Sequence, residues 1–115
     1  MLRVTHGDIS FLLTADVEAA TESVLASGQA GIQSTVLKVA HHGSKTSSTA
    51  GFLEAVDPTV ALISVGETNS FRHPSPEVVG RLLLQTGREN LYRTDQDGEV
   101  EFITDGQDLW VNTER

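Results

Sequence analysis

The alternation of strand-like and helix-like segments along this 115-residue chain predicts an α/β fold. Three apolar runs, at residues 9–14, 36–40 and 60–65, have the length and composition of buried strands. A helical pattern follows each run, and turn signals near both ends of the chain indicate hairpins. The sequence therefore predicts a single sheet covered by helices, with its edges completed by hairpins, in an α+β sandwich.

The first quarter of the chain predicts a hairpin followed by a helix. Strands at 2–6 and 9–14 flank Gly7-Asp8, a dipeptide typical of tight turns. The second of these strands is apolar at nearly every position, which predicts burial on both faces inside a larger sheet. A helix at 17–27 follows, and Gly28 is its predicted end because glycine favours the left-handed conformation there.

The middle of the chain predicts two further buried strands with a short helix between them. The run His41-His42-Gly43-Ser44 comes directly off the end of the strand at 36–40. Hydroxyl residues at 47–49 are candidate caps for a helix that extends to residue 56. The strand at 60–65 then leads into a polar loop.

The last third of the chain begins with a helix start and continues with short strands. Ser75-Pro76-Glu77 places a capping hydroxyl, a proline at the first helical position and an acid in sequence. Strands at 91–93 and 100–104 flank residues 95–98, where Asp-Gln-Asp-Gly predicts a second hairpin turn. A final strand is expected at 109–111.

Composition limits the function. The net charge of −8 argues against a general nucleic-acid-binding surface, because affinity for polyanions comes largely from Lys and Arg. The chain has no cysteine, so any metal must be bound by histidine and carboxylate ligands. No apolar run approaches the length of about 20 residues that spans a bilayer. A local basic rim near the strand ends is expected from four residues: Lys38, Lys45, Arg72 and Arg93.

Candidate ligands follow three predicted strands. Asp16 follows the first buried strand, His41-His42 the second, and His73 lies in the loop after the third. In open sheets built from strand–helix units, ligands bind beyond the carboxyl ends of the strands, so these side chains are expected at one edge. A carboxylate with two or three imidazoles suits zinc, manganese or iron.

Four segments, in order, resemble the metallo-β-lactamase-like domain of ComEC-type competence proteins, which internalise DNA. LLTAD at 12–16 resembles that family's LLTGD, and VLKVAHHGSKTSS at 36–48 resembles DVLKVxHHGSKTSS. The pattern of ISVG at 63–66, Asn69 and His73-Pro74 resembles ISVGxxNxxxHP, and YRTDQDG at 92–98 is similar throughout. Together they extend over nearly the whole chain.

The resemblance implies a metallo-β-lactamase-type αββα sandwich, of which residues 1–115 are the C-terminal half. It also implies a dinuclear site of zinc or manganese, in which Asp16 bridges the two metals. Similarity to phosphorylcholine esterases favours His42 as a further ligand, with His41 contacting substrate or transferring a proton. Similarity to ribonuclease Z instead implies that His73 is the ligand and that His41-His42 is the acid–base element.

The implied function is hydrolysis of a phosphodiester in DNA during competence-related uptake, with His41 and His73 catalytic and Ser44 and Lys45 binding substrate. The chain departs from the family at Ala15, where the family has glycine, and it lacks the THxDxDH loop that supplies most first-half ligands. The alternatives are a non-catalytic half-domain that pairs with itself or a partner through the exposed edge of the N-terminal strand at 9–13, and another hydrolase such as a phosphorylcholine esterase. A soluble, extramembranous domain of a bacterial membrane protein is expected.

Overall fold

A computed structural model describes residues 1–27, 31–67 and 73–115, and it contains four α-helices and seven β-strands within those residues. The predicted positions Gly28, Asn69 and Arg72 lie outside the described residues. The elements, in chain order, are β1 (Leu2–His6), β2 (Ile9–Leu13), α1 (Ala19–Ser27), β3 (Val36–Lys38), α2 (Ala50–Val56), β4 (Val60–Ile63), α3 (Pro76–Thr86), β5 (Leu91–Arg93), the one-turn helix α4 (Thr94–Asp97), β6 (Val100–Thr104) and β7 (Leu109–Thr113). The α/β class predicted from the alternation is confirmed.

The main sheet has five strands in the order β1-β2-β3-β4-β5. Strands β2 to β5 run parallel, and β1 pairs antiparallel with β2 across the predicted Gly7-Asp8 turn. Since the parallel strands share one direction, the segments that follow them leave the sheet at a single edge, here called the carboxyl edge. This topology gives the chain one edge where residues distant in sequence meet.

Helices cover one face of this sheet and form the core with it. The register aligns Leu12, Leu37 and Ala61 in one row, and all three are buried. Side chains from α2 and α3 complete the same core cluster: Phe52, Leu53, Val56, Val78 and Leu82. Each fully buried aliphatic or aromatic side chain contributes about 1.5–3 kcal/mol to folding, so this layer fixes the sheet against its helices.

The small sheet of β6 and β7 lies on the opposite face. The ring of Phe102 makes edge-to-face contacts with Phe11 and Tyr92, at centroid distances of 6.1 and 6.3 Å. The layers are therefore helices, main sheet and a two-stranded sheet. This arrangement is consistent with a mixed α/β sandwich, and the specific αββα fold stays a prediction.

The prediction of a hairpin around residues 95–98 is wrong. Strand β5 pairs with β4 in the main sheet, whereas β6 pairs with β7. The Asp-Gln-Asp-Gly segment instead closes a helical turn, in which Gly98 N–H donates to Thr94 O at 3.1 Å and the Asp97 carboxylate accepts from Arg93 N–H at 2.8 Å. An aspartate side chain that hydrogen-bonds to nearby backbone N–H groups favours a hairpin turn and a helical turn alike, so the sequence signal did not distinguish the two.

The helix starts predicted from capping residues are confirmed for α2 and α3, whereas the helix predicted at 17–27 begins at Ala19. The Thr49 hydroxyl accepts from Phe52 N–H and begins α2, and the Ser75 hydroxyl accepts from Glu77 N–H at the start of α3. No helix among the described ranges combines the length and apolar character needed to cross a bilayer.

Candidate metal and phosphate site

The segments that follow β2 and β3 meet at the carboxyl edge through hydrogen bonds. The Thr14 hydroxyl donates to Lys38 O at 2.5 Å, and His41 N–H donates to Ala15 O at 3.0 Å. Asp16 and the histidine pair are therefore adjacent in space although about 25 residues separate them in sequence. The common edge expected from the strand alternation is present.

The histidine pair lies in a left-handed turn. His41 and His42 have φ of 54° each with ψ of 33° and 28°, and Gly43 follows with φ of 86°. A left-handed conformation costs a residue with a Cβ about 1–2 kcal/mol, so two consecutive histidines store strain here. Such strain persists only where neighbouring contacts maintain it, and it concentrates at functional sites.

The ring of His42 is fixed by the segment that follows β4. Its Nδ1 lies 2.6 Å from Ser64 O. A carbonyl only accepts, so the Nδ1 atom donates and the neutral ring leaves the lone pair on Nε2. Because metal-ligating histidines usually donate their other ring N–H to a carbonyl or carboxylate, this arrangement suits Nε2 as a metal ligand.

His41 points to a different partner. Its Nε2 lies 3.3 Å from Glu18 Oε1, and this contact is an ion pair when the imidazole is protonated. Glu18 immediately precedes α1. In the sequence it is one acid near a helix start, and no signal marks it as part of the site. The two adjacent histidines therefore have different hydrogen-bonding environments, which suits one for binding metal and the other for proton transfer.

The third candidate histidine, His73, lies beside the same turn. Ser75 N–H donates to Gly43 O at 2.8 Å, and a Cβ built on Gly43 would fall 2.5 Å from Pro74 Cβ. The close approach of Pro74 explains why glycine occupies position 43, where a side chain would collide. His73 is half-buried, and its role as ligand or catalyst stays a prediction.

Asp16 is exposed and makes no hydrogen bond or ion pair with another described residue. Since no described residue pairs with its carboxylate, that carboxylate is available to a cation. The preceding residue, Ala15, has φ of 52°, a conformation in which glycine carries no steric penalty. The alanine at this position therefore places a Cβ in a strained conformation.

Replacing Ala15 with glycine is expected to stabilise the protein by about 0.5–1 kcal/mol. Relief of the left-handed penalty gains about 1–2 kcal/mol, and the added freedom of the unfolded chain costs about 0.4–1 kcal/mol. The midpoint of thermal unfolding should rise by about 2–4 °C. Ala20→Gly, inside α1, is the matched control and should lower the midpoint because its backbone is helical. A lower midpoint for A15G would contradict the expected strain.

The two residues predicted to bind substrate differ in exposure. Ser44 is buried, and its hydroxyl lies 2.9 Å from Thr46 Oγ1, whereas Lys45 is exposed. Both line an open cavity of about 400 Å³ together with His73 and Ser75. Of the two, Lys45 is the better placed to contact a phosphate, because its charge is not engaged within its own loop.

The predicted basic rim is only partly present. Lys38 and Lys45 are exposed at the carboxyl edge, and Arg72 lies outside the described residues. Arg93 is wrongly assigned to the rim, because its guanidinium is half-buried and forms two hydrogen bonds with the Asp95 carboxylate, at 2.7 and 3.0 Å. A paired guanidinium contributes little to attracting an anion, so the local positive charge is smaller than predicted.

A buried carboxylate behind the site was missed in the sequence. Glu22 of α1 is fully buried, and its two oxygens accept from Ser48 N–H at 2.6 Å and Thr49 N–H at 2.9 Å. The Ser47 hydroxyl in the same loop lies 3.5 Å from Ala40 O, next to the histidine pair. Glu22 thus anchors the loop between the histidines and α2. In sequence it is one acid in a polar helix, and only its partners 26 residues away distinguish it.

A metal would find only part of a ligand set here. Among residues 1–27, 31–67 and 73–115, no three His, Asp or Glu side chains form a group able to hold a metal ion. The available donors are the Asp16 carboxylate and the Nε2 atom of His42, and their chemistry fits zinc or manganese. These two donors do not make a complete metal site by themselves, and metal binding by them stays a prediction.

A second cavity lies at the opposite edge of the sheet, and no histidine lines it. Its volume is about 460 Å³, and its lining includes Arg3, Asp8 and Asp57. The Arg3 guanidinium already donates to Gln33 O at 2.8 Å and to the Ser34 hydroxyl at 3.2 Å. The carboxyl edge is therefore the better candidate for a functional site.

Comparison with known proteins finds similarity to segments of longer bacterial proteins. It is 38% identical over 102 residues to ComE operon protein 3 of Bacillus subtilis and 38% identical over 103 residues to Competence protein ComA of Neisseria gonorrhoeae, in each case across 89% of the chain. It is 43% identical to Recombination protein 2 of Haemophilus influenzae over 82 residues, or 71% of the chain. These alignments span 13%, 15% and 10% of the relatives, so the chain matches only a small part of each. No protein-family model and no solved structure matches the chain.

Proposed function

We propose that this chain is part of a metal-dependent phosphodiesterase domain that acts on DNA in a competence protein. Its similarity to a segment of Competence protein ComA of Neisseria gonorrhoeae supports the biological setting. The hydrogen bond of His42 Nδ1 to Ser64 O, which leaves Nε2 open beside the Asp16 segment, is the observation that carries the chemistry. The metallo-β-lactamase-like fold and the missing first-half ligands belong to this proposal.

Each residue at the carboxyl edge has a proposed role. Asp16 and His42 hold the metal, and His73 is the alternative second ligand. Two bound divalent metals would lower the pKa of a water and neutralise charge on the phosphate. His41 donates a hydrogen bond to the scissile phosphate or a proton to the leaving oxygen, and the carboxylate of Glu18 holds its ring.

Phosphate binding is proposed for the cavity beside the histidine turn. Lys45 supplies a positive charge there, and the backbone around Ser44 and Ser75 supplies polar groups. Since the whole chain has a net charge of −8, attraction of DNA depends on this local charge and on the metal ions.

The nuclease proposal is tested by comparing this chain with the complete domain of the parent protein. The complete domain, loaded with zinc or manganese, is expected to cleave DNA, and a chelator should abolish cleavage. The 115-residue chain alone should be inactive, because it provides only part of the ligand set. A complete domain that holds its full complement of metal and cleaves neither single- nor double-stranded DNA would rule out this function.

A second candidate function, a half-domain that pairs with a second copy, is favoured by the exposed edge strand. The apolar strand β2 was expected to supply that edge, but it lies between β1 and β3. All five residues of β1 are exposed, and within the described residues β1 has a strand neighbour on one side only. Unpaired strand edges of this kind favour association.

If two copies pair through β1, the chain is a dimer, and a charge introduced into β1 should disrupt it. Replacing Val4, whose side chain is 45% exposed, with lysine should convert the dimer to a monomer because like charges would face each other across the new interface. Val24→Lys on α1, at a position 69% exposed, is the matched control and should remain dimeric. Light scattering coupled to size exclusion measures the mass, and a monomeric wild-type chain would exclude this candidate.

A further inference from the structure

The backbone of Ser64 and Val65 extends beyond the paired part of β4. The last pair between β4 and β5 joins Ile63 to Arg93, so the two residues that follow have no partner in the sheet ladder. One of them, Ser64, nevertheless supplies the carbonyl that fixes the ring of His42. What holds this short segment in place therefore determines where the histidine ring points.

The Thr94 side chain holds the Ser64–Val65 segment in place. The Thr94 hydroxyl accepts from Val65 N–H at 2.8 Å and donates to Val65 O at 2.9 Å. One hydroxyl thus satisfies both backbone polar groups of Val65, a buried residue, in place of a strand neighbour. The Ser64–Val65 segment lies between His42 on one side and Thr94 on the other.

Thr94 is itself fixed by the turn that follows β5. Gly98 N–H donates to Thr94 O, and Asp97 accepts from Arg93 N–H. Arg93 in turn pairs with Asp95. The segment at 92–98, which supplies none of the candidate ligands, is therefore connected to the Ser64–Val65 backbone through the Thr94 hydroxyl.

We infer that Thr94 is a positioning residue, which holds the Ser64–Val65 backbone so that Ser64 O selects the Nδ1–H tautomer of His42 and presents its Nε2 outward. This inference deepens the proposed role of His42 and rests on it for its functional meaning. The tautomer itself can be measured without metal or substrate, so the two claims are separable.

The test is ¹⁵N NMR of the histidine rings in this 115-residue chain, at a pH above the ordinary imidazole pKa. The wild-type chain is expected to show His42 predominantly as the Nδ1–H form. Thr94→Val, which keeps the shape and removes the hydroxyl, should lower the ratio of the Nδ1–H to the Nε2–H form by about threefold to tenfold, the worth of one hydrogen bond. Thr94→Ser, which keeps the hydroxyl, should restore the wild-type ratio.

Thr35→Val separates positioning from general loss of stability. The Thr35 hydroxyl accepts from Ser10 N–H at 3.1 Å at the opposite edge of the sheet, so its removal should leave the His42 tautomer unchanged. An Nε2–H form in the wild-type chain overturns the inference, whether or not T94V folds. A wild-type ratio in folded T94V, or an equal change in T35V, also overturns it. A tautomer shift confined to T94V supports positioning even if the complete domain binds no metal, an outcome that would reject only the proposed function.

Discussion

Replacing Glu22 with glutamine is expected to destabilise the protein by about 2–4 kcal/mol. The carboxylate accepts two backbone hydrogen bonds in a fully buried position, and bonds of this charged kind are worth about 1.5–3 kcal/mol each. The glutamine amide has one acceptor oxygen, so its NH₂ group would face one of the two N–H donors without a partner. A loss of this size is a large fraction of a typical domain stability of about 5–15 kcal/mol.

Thermal and urea unfolding measure this loss, which corresponds to a decrease of roughly 8–16 °C in the midpoint. Glu54→Gln provides the control, because Glu54 is an exposed residue of α2 and its substitution should change stability by less than about 0.5 kcal/mol. Equal stabilities of E22Q and E54Q would show that Glu22 does not anchor the loop between the histidines and α2.

Replacing His42 with alanine is expected to weaken zinc binding by the complete domain at least about 100-fold. Loss of an outer-shell partner of a ligand costs about 10- to 100-fold in metal affinity, and loss of the ligand itself should reach or exceed the upper value. Titration with zinc against a competing chelator measures the dissociation constant. The alternative assignment, with His73 as ligand, predicts the larger loss in His73→Ala, so the two variants decide between the assignments.

His6→Ala is the matched control for that titration. His6 pairs with Ile9 at the start of β2, so it lies at the edge of the sheet opposite Asp16. Its removal should leave zinc affinity unchanged. If H42A and H73A both bind zinc as tightly as H6A, neither histidine is a ligand and the metal-site proposal is wrong.

The sequence alone predicted the elements whose signals are local. The Ser75-Pro76-Glu77 start, the Gly7-Asp8 turn and the three buried strands all appear where propensity and pattern placed them, because capping, turn geometry and apolar periodicity act within a few residues. The grouping of Asp16 with the histidine pair followed as well, since parallel strands carry their following segments to one edge.

The pairing of the strands, and the residues that hold the candidate ligands in place, could be identified only from the tertiary structure. Residues 95–98 carry a hairpin signal, yet β5 joins the main sheet, because its pairing with β4 and the aspartate bonds outweigh a weak local preference. The sequence singled out Ala15 as a departure from glycine, but its positive φ required the structure, since a backbone angle is set by its neighbours and not by the residue name.

The sequence by itself determined which chemical groups reach the carboxyl edge: one carboxylate, the paired imidazoles and a lysine. Only the tertiary structure decided how they are held, through Ser64 O on His42, Glu18 on His41 and Glu22 beneath the loop. The physical reason is that side-chain identity and periodicity are local properties, whereas a hydrogen bond depends on the distance and angle between atoms from separate segments. Those distances exist only once the sheet has set the positions of its strands.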